Sequence, residues 1–129
     1  MIIDSSVVVA VFLREPGWQA LFDRLAASNV TGIGTPTLVE TGIVLSARLQ
    51  RDAAPLLTRF IQEFDIAPIA FGDGHWGEAV RAFRRFGKGR HAAGLNFGDC
   101  MSYATARLAD QPLLFVGGDF PRTDIERAL

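Results

Sequence analysis

The chain has 129 residues, 49% of them hydrophobic, with thirteen basic and fourteen acidic side chains and a net charge of −1. That is the content of one ordinary globular domain, residues 1–129, and it excludes a disordered chain and a binder that works through a global basic field. Its one cysteine, Cys100, excludes an internal disulfide; no apolar run is long enough to span a membrane, and Met1 to Asp4 do not read as a secretory signal, so the expected location is the cytoplasm.

Ile2-Ile3 is a short apolar run that predicts a buried first strand. Ser6 is a candidate cap for a helix over Val7 to Leu13, and Pro16 opens a second helix with Trp18, Leu21, Phe22 and Leu25 at helical spacing. Val30 to Gly34 reads as a strand. Thr35-Pro36-Thr37 starts a helix carrying Leu38, Leu45 and Leu49, and another follows with Leu56, Leu57, Phe60, Ile61 and Phe64. Ile66 to Phe71 is the next strand. Asp73 is a candidate cap for a helix with a Trp76, Val80, Phe83 stripe, and Gly87-Lys88-Gly89 ends it. Asn96 to Asp99 opens a helix running through Tyr103 and Leu108, and Leu113 to Val116 is a last β-like run bounded by Gly117-Gly118. Alternating strands and helices of this kind predict an α/β fold, a three-layer α/β/α sandwich around a mainly parallel sheet.

Four carboxylates, Asp4, Glu40, Asp99 and Asp119, fall where a predicted strand ends or a predicted helix begins. In an open parallel sheet those positions share one rim, outside the carboxyl ends of the strands. Taken singly each acid has a structural explanation: a turn at Asp4, a Thr37-x-x-Glu40 capping box, a helix first turn at Asp99, a glycine turn before Asp119. Together on one rim they would repel one another unless a cation compensates, and hard oxygen ligands suit Mg²⁺ or Mn²⁺. Between Glu78 and Asp99 there is no acid, while Arg81, Arg84, Arg85, Lys88, Arg90 and His91 all lie there. A basic patch beside an acidic site is what a phosphate-backbone binder needs; a solvated basic helix end is the structural alternative.

The same residues carry a resemblance. Met1-Ile2-Ile3-Asp4-Ser5-Ser6, Thr37-Leu38-Val39-Glu40, Leu95 to Ala104 around Asp99, and Leu114 to Phe120 with Thr123-Asp124 resemble the ordered acidic motifs of the PIN domain family along the whole chain. Together with Gly87-Lys88-Gly89-Arg90-His91 they are similar to VapC toxins, the ribonuclease half of VapBC toxin–antitoxin pairs. The resemblance implies a metal-dependent endoribonuclease with Asp4, Glu40, Asp99 and Asp119 as the acidic site. It further implies Asp4, Asp99 and Asp119 as ligands for Mg²⁺ (or Mn²⁺), a structured RNA substrate such as a tRNA or an rRNA loop, and a VapB-type antitoxin as partner. Glu40 would bind a second ion or orient the attacking water; Ser6 and Thr123 are candidate supports for the carboxylates. Gly118 stands where relatives often carry Asn, Asp or Glu, which puts a second ion in doubt, with Asp124 as a candidate substitute. The helices over Pro16–Ala27 and Leu38–Phe64 are candidate surfaces for the antitoxin or for a homodimer.

Other signals weigh less. Gly72-Asp73-Gly74-His75-Trp76-Gly77 spells a dinucleotide fingerprint, but no acid ends a following strand, so a tight turn explains the glycines better. His75 and His91 have no ligand spacing or nucleophile partner. Cys100 reads as a small core residue beside a carboxylate that raises its thiol pKa. A haloacid-dehalogenase-like phosphatase requires an acid where Ser6 stands and a later lysine, and Lys88 is the chain's only one. A catalytically inactive PIN-like RNA- or protein-binding module is the alternative of a different class.

Overall fold

Every strand of the central sheet is parallel to its neighbours, in the order β3-β2-β1-β4, in a computed structural model that describes all 129 residues. The elements run β1 (Ile2–Ile3), α1 (Ser5–Leu13), α2 (Trp18–Ala26), β2 (Thr31–Gly34), α3 (Thr35–Leu49), α4 (Ala54–Glu63), β3 (Ile66–Ile69), α5 (Asp73–Phe86), α6 (Phe97–Ala109) and β4 (Leu113–Leu114), followed by a 3₁₀ turn at Phe120–Arg122. The chain lays β2 and β3 successively to one side of β1, then returns to place β4 on the other. The order therefore reverses between β1 and β4, and ligands of open parallel sheets bind at such a switch point.

Strand alternation sorts the core into two halves. Ile3, Ile33 and Leu114 face one layer, packed with Val7 and Val8 of α1, Leu21 and Leu25 of α2, Leu45 of α3 and Phe60 of α4. Ile2 and Leu113 face the other, against Ala79 and Phe86 of α5 and Tyr103 and Ala104 of α6. Each such Ile or Leu contributes about 1.5–3 kcal/mol by leaving water. The expected α/β/α sandwich is this arrangement: four helices on one face, two on the other.

The strands are shorter than the apolar runs. Strand β3 stops at Ile69, not Phe71, because its partner Gly34 is the last residue of β2 before α3 begins. It also tolerates Pro68, since β3 is an edge strand. Strand β4 stops at Leu114, not Val116, because the Val116 N–H leaves the sheet and donates to Ser6 Oγ at 3.0 Å. Val30 lies outside β2 and is exposed.

The caps also move. Asp4, not Ser6, is the N-cap of α1: its carboxylate accepts from the Ser6 N–H at 3.1 Å. Gly72, not Asp73, is the N-cap of α5; its N–H donates to His75 Nδ1 at 3.1 Å, which gives that histidine a local role. The Thr37-x-x-Glu40 capping box does not form. Gly34 precedes α3, Thr37 lies inside the helix, and its hydroxyl turns into the core.

Candidate active site

The rim at the β1/β4 switch point collects the acids. Asp4 leaves the end of β1 with its backbone N–H bonded to the Leu114 carbonyl at 3.0 Å, and only 4% of the residue is exposed. Its carboxylate is held on both oxygens. Ser102 Oγ donates to Oδ1 at 2.6 Å, and Ser6 Oγ donates to Oδ2 at 2.6 Å. A buried carboxylate supplied with donors on each oxygen has its hydrogen-bonding needs met and is fixed in direction.

Asp99 sits in the first turn of α6. Asn96 caps that helix by accepting the Asp99 N–H at 2.9 Å, and the Asp99 carboxylate accepts the Asn96 N–H at 3.0 Å in return. Burial first, then the charges of Asp4, Asp119 and Glu40, push the Asp99 carboxyl up to about 6 against the pull of the Asn96 N–H. The other three acids therefore act on this one carboxyl. Glu40 rises from α3, one turn after Thr37, and its carboxylate lies against the backbone of Gly98, where a Cβ would come within 2.8 Å of Glu40 Cδ. Asp119 is exposed and precedes the 3₁₀ turn beyond β4.

The donor set consists of hard oxygens, and its mutual repulsion is the condition a divalent cation relieves. No three acidic, histidine or cysteine side chains close into a ready-made cage.

Cations stand at the same end of the molecule. The segment before α6 is stitched to the end of α5: Leu95 N–H donates to the Phe86 carbonyl and Lys88 N–H to the Leu95 carbonyl, each at 2.9 Å. This brings the basic end of α5 beside the N-terminus of α6. Within it Arg81 pairs with Glu78 at 2.8 Å and Arg85 with Asp124 at 3.2 Å, while Arg84, Lys88 and Arg90 form no ion pair.

Residues 1–126 match the PIN domain family. The chain belongs to that family. It is 46% identical over 127 residues to Ribonuclease VapC36 of Mycobacterium tuberculosis, covering 98% of this chain and 91% of the relative. It is 40% identical over 126 residues to Ribonuclease VapC of Mycolicibacterium smegmatis, covering 97% of each. In fold it is similar to Mycobacterium tuberculosis VapC20, described as a sarcin-ricin loop cleaving toxin, with a TM-score of 0.77 at 17% identity over 96% of this chain and 95% of that one. A toxin–antitoxin complex from Klebsiella pneumoniae matches at a TM-score of 0.67 and 18% identity, over 92% and 88%.

Within the PIN domain of this chain the four sequence-selected acids share one rim. Ser6 supports Asp4 as expected. Thr123 does not reach the acids: its hydroxyl donates to the Phe120 carbonyl at 2.7 Å and accepts from the Ile125 N–H at 3.2 Å, so it shapes the turn. Asp124, weighed as a substitute ligand, is held by the Tyr103 hydroxyl at 2.6 Å and by Arg85. Burial alone would raise its carboxyl; the Tyr103 bond and Arg85 outweigh that and hold it below the ordinary value. Cys100 is buried as expected, and burial, then the Asp99 charge, push its thiol up to about 11.

Two residues inside the quoted motifs, Ser102 and Thr37, support the acids in a way the sequence did not reveal. Each lies three residues along a helix from an acid, Ser102 after Asp99 and Thr37 before Glu40, on the face the acid shares. That spacing is the signal that points to them.

Proposed function

We propose that the chain is a metal-dependent endoribonuclease that hydrolyses RNA phosphodiester bonds at the Asp4, Glu40, Asp99, Asp119 rim, and that it works in the cytoplasm as the toxin of a type II toxin–antitoxin pair. The observation that carries this reading is the convergence of three acids on the Asp99 carboxyl at the switch point of a PIN fold. The ribonuclease names of relatives up to 46% identical support it.

In this mechanism Asp4 and Asp99 would hold Mg²⁺ or Mn²⁺, with Asp119 beside them. When bound, the ion makes its water easier to deprotonate and offsets charge on the phosphate. The chain's own residues do the rest. Ser6 and Ser102 aim the Asp4 carboxylate, and Glu40, seated against Gly98, orients the attacking water by accepting its hydrogen. Arg84, Lys88 and Arg90 bind backbone phosphates, which positions the RNA without reading its sequence. The substrate is a structured RNA such as a tRNA or an rRNA loop. The sarcin-ricin loop named for VapC20 is an example of that class.

The antitoxin belongs on the groove of about 630 Å³ between α3 and α4, lined by Leu38, Val39, Ile43, Leu57 and Ile61. A homodimer would use the same surface or that of α2, where Phe22 is exposed. A protein that stays monomeric and does not bind the product of its neighbouring gene would contradict both assignments.

The test is cleavage of total RNA by purified protein with Mg²⁺ or Mn²⁺ and with EDTA, with Asp4→Asn as the control for contaminating nuclease. Discrete fragments that need both the metal and Asp4 are expected, and sequencing their ends names the target. A folded protein with no metal-dependent cleavage across several RNAs would favour the inactive binding module.

A further inference from the structure

A chain of hydroxyls ties the four acids' supporting elements together. Thr37 Oγ1 and Ser102 Oγ lie 3.2 Å apart, Ser102 Oγ is 2.6 Å from Asp4 Oδ1, Ser6 Oγ is 2.6 Å from Asp4 Oδ2, and the Val116 N–H is 3.0 Å from Ser6 Oγ. Proton counting fixes the direction. Ser102 and Ser6 both donate to the Asp4 carboxylate, so each spends its single O–H there. Ser102 Oγ then has only lone pairs left for Thr37, so Thr37 is the donor, and Ser6 Oγ accepts from the Val116 N–H. The order is Thr37 to Ser102 to Asp4 from one side and Val116 to Ser6 to Asp4 from the other.

Each link belongs to an element that carries an acid. Thr37 is on α3 with Glu40, Ser102 is on α6 with Asp99, and Val116 is in the segment leading to Asp119. Thr37 and Ser102 are 2% and 1% exposed. Packing alone does not require hydroxyls there, and buried polar groups are retained only where they are satisfied.

We infer that Thr37 and Ser102 are positioning residues of the metal site: their hydroxyl relay fixes the direction of the Asp4 carboxylate and the spacing of α3 and α6, and so of Glu40 and Asp99. The inference rests on the nuclease reading above. It assigns work to two residues that touch neither metal nor RNA.

The experiment crosses shape against hydroxyl. Thr37→Val keeps the branched shape and removes the O–H; Thr37→Ser keeps the O–H and removes the methyl. Ser102→Ala breaks the relay at its second link. Mn²⁺ affinity is measured by electron paramagnetic resonance on RNA-free protein, and cleavage is measured as kcat and KM. Thr37→Val and Ser102→Ala are expected to lose about 10–100-fold in Mn²⁺ affinity or in kcat, with KM for RNA little changed and circular dichroism native. Thr37→Ser is expected to stay within a few-fold of wild type in both. The reverse ranking, with Thr37→Ser impaired and Thr37→Val normal, assigns Thr37 to packing and overturns the inference. So does an active wild type whose Thr37→Val and Ser102→Ala variants both match it. A wild-type protein that binds no Mn²⁺ and cuts no RNA overturns the nuclease reading, and this inference with it.

Discussion

Gly98 is where one atom decides the geometry of the site. A Cβ there would fall on the Glu40 carboxylate, the far end of a flexible side chain, so Glu40 would give way and the backbone would hold. Alanine also suits a helix better than glycine by about 1 kcal/mol. Gly98→Ala is therefore expected to keep or slightly raise the melting temperature while cleavage falls about tenfold to a hundredfold, as displacement of an orienting group does. Cleavage rates beside thermal melts check this; unchanged cleavage would remove Glu40 from the chemistry. At this scale the four acids were legible, because an Asp or Glu at a strand end or helix start is a local pattern. The hydroxyls were not. Ser102 lies 98 residues from Asp4 and Thr37 lies 65 residues from Ser102, and only tertiary packing brings such pairs together.

Among the elements, a latch on Asp124 helps to hold the segment after β4. The Tyr103 hydroxyl on α6 and Arg85 on α5 both bind the Asp124 carboxylate. Because Asp124 is held below its ordinary value of about 4, its contribution is present above that value and is lost as the pH falls through the lowered one. Tyr103→Phe removes the donor and is expected to cost about 1 kcal/mol at neutral pH. The loss should shrink as the solution is acidified below the ordinary carboxylate range, where Asp124 is neutral in both proteins. Urea denaturation at neutral and acid pH checks the sign; a loss that grows on acidification would contradict the latch. Helix positions were readable from apolar spacing, but their first residues were not. Asp4 takes the cap assigned to Ser6, and Gly72 takes the one assigned to Asp73, because caps depend on where the preceding strand releases the chain. Strand lengths failed for a related reason: β3 ends when β2 ends, a fact of the neighbour and not of the run Ile66 to Phe71.

For the whole molecule, a net charge of −1 conceals a division of labour, with acids on the rim and uncompensated cations beside them. If Arg84, Lys88 and Arg90 track the RNA backbone, Arg84→Ala in the Asp99→Asn background should weaken RNA binding alike across sequences. It should also lower the slope of log affinity against log salt by about 1. Fluorescence anisotropy over a salt series measures that slope; an unchanged slope would move the RNA path off α5. The parallel sheet and its layers could be read from alternating strands and helices. The position of the switch point could not, because whether β4 returns to the side of β1 opposite β2 is not written in any local run. That return is what brings Asp119 to Asp4.

The decisive measurement is Asp99→Asn, assayed together for RNA cleavage with Mg²⁺ or Mn²⁺ and for thermal stability in EDTA. Asparagine can still accept the Asn96 N–H, and it removes the charge on which Asp4, Asp119 and Glu40 converge. Abolished cleavage, with a melting temperature at neutral pH equal to or above that of wild type, is the expected result. A folded Asp99→Asn protein that cuts RNA at the wild-type rate would contradict a shared carboxylate site.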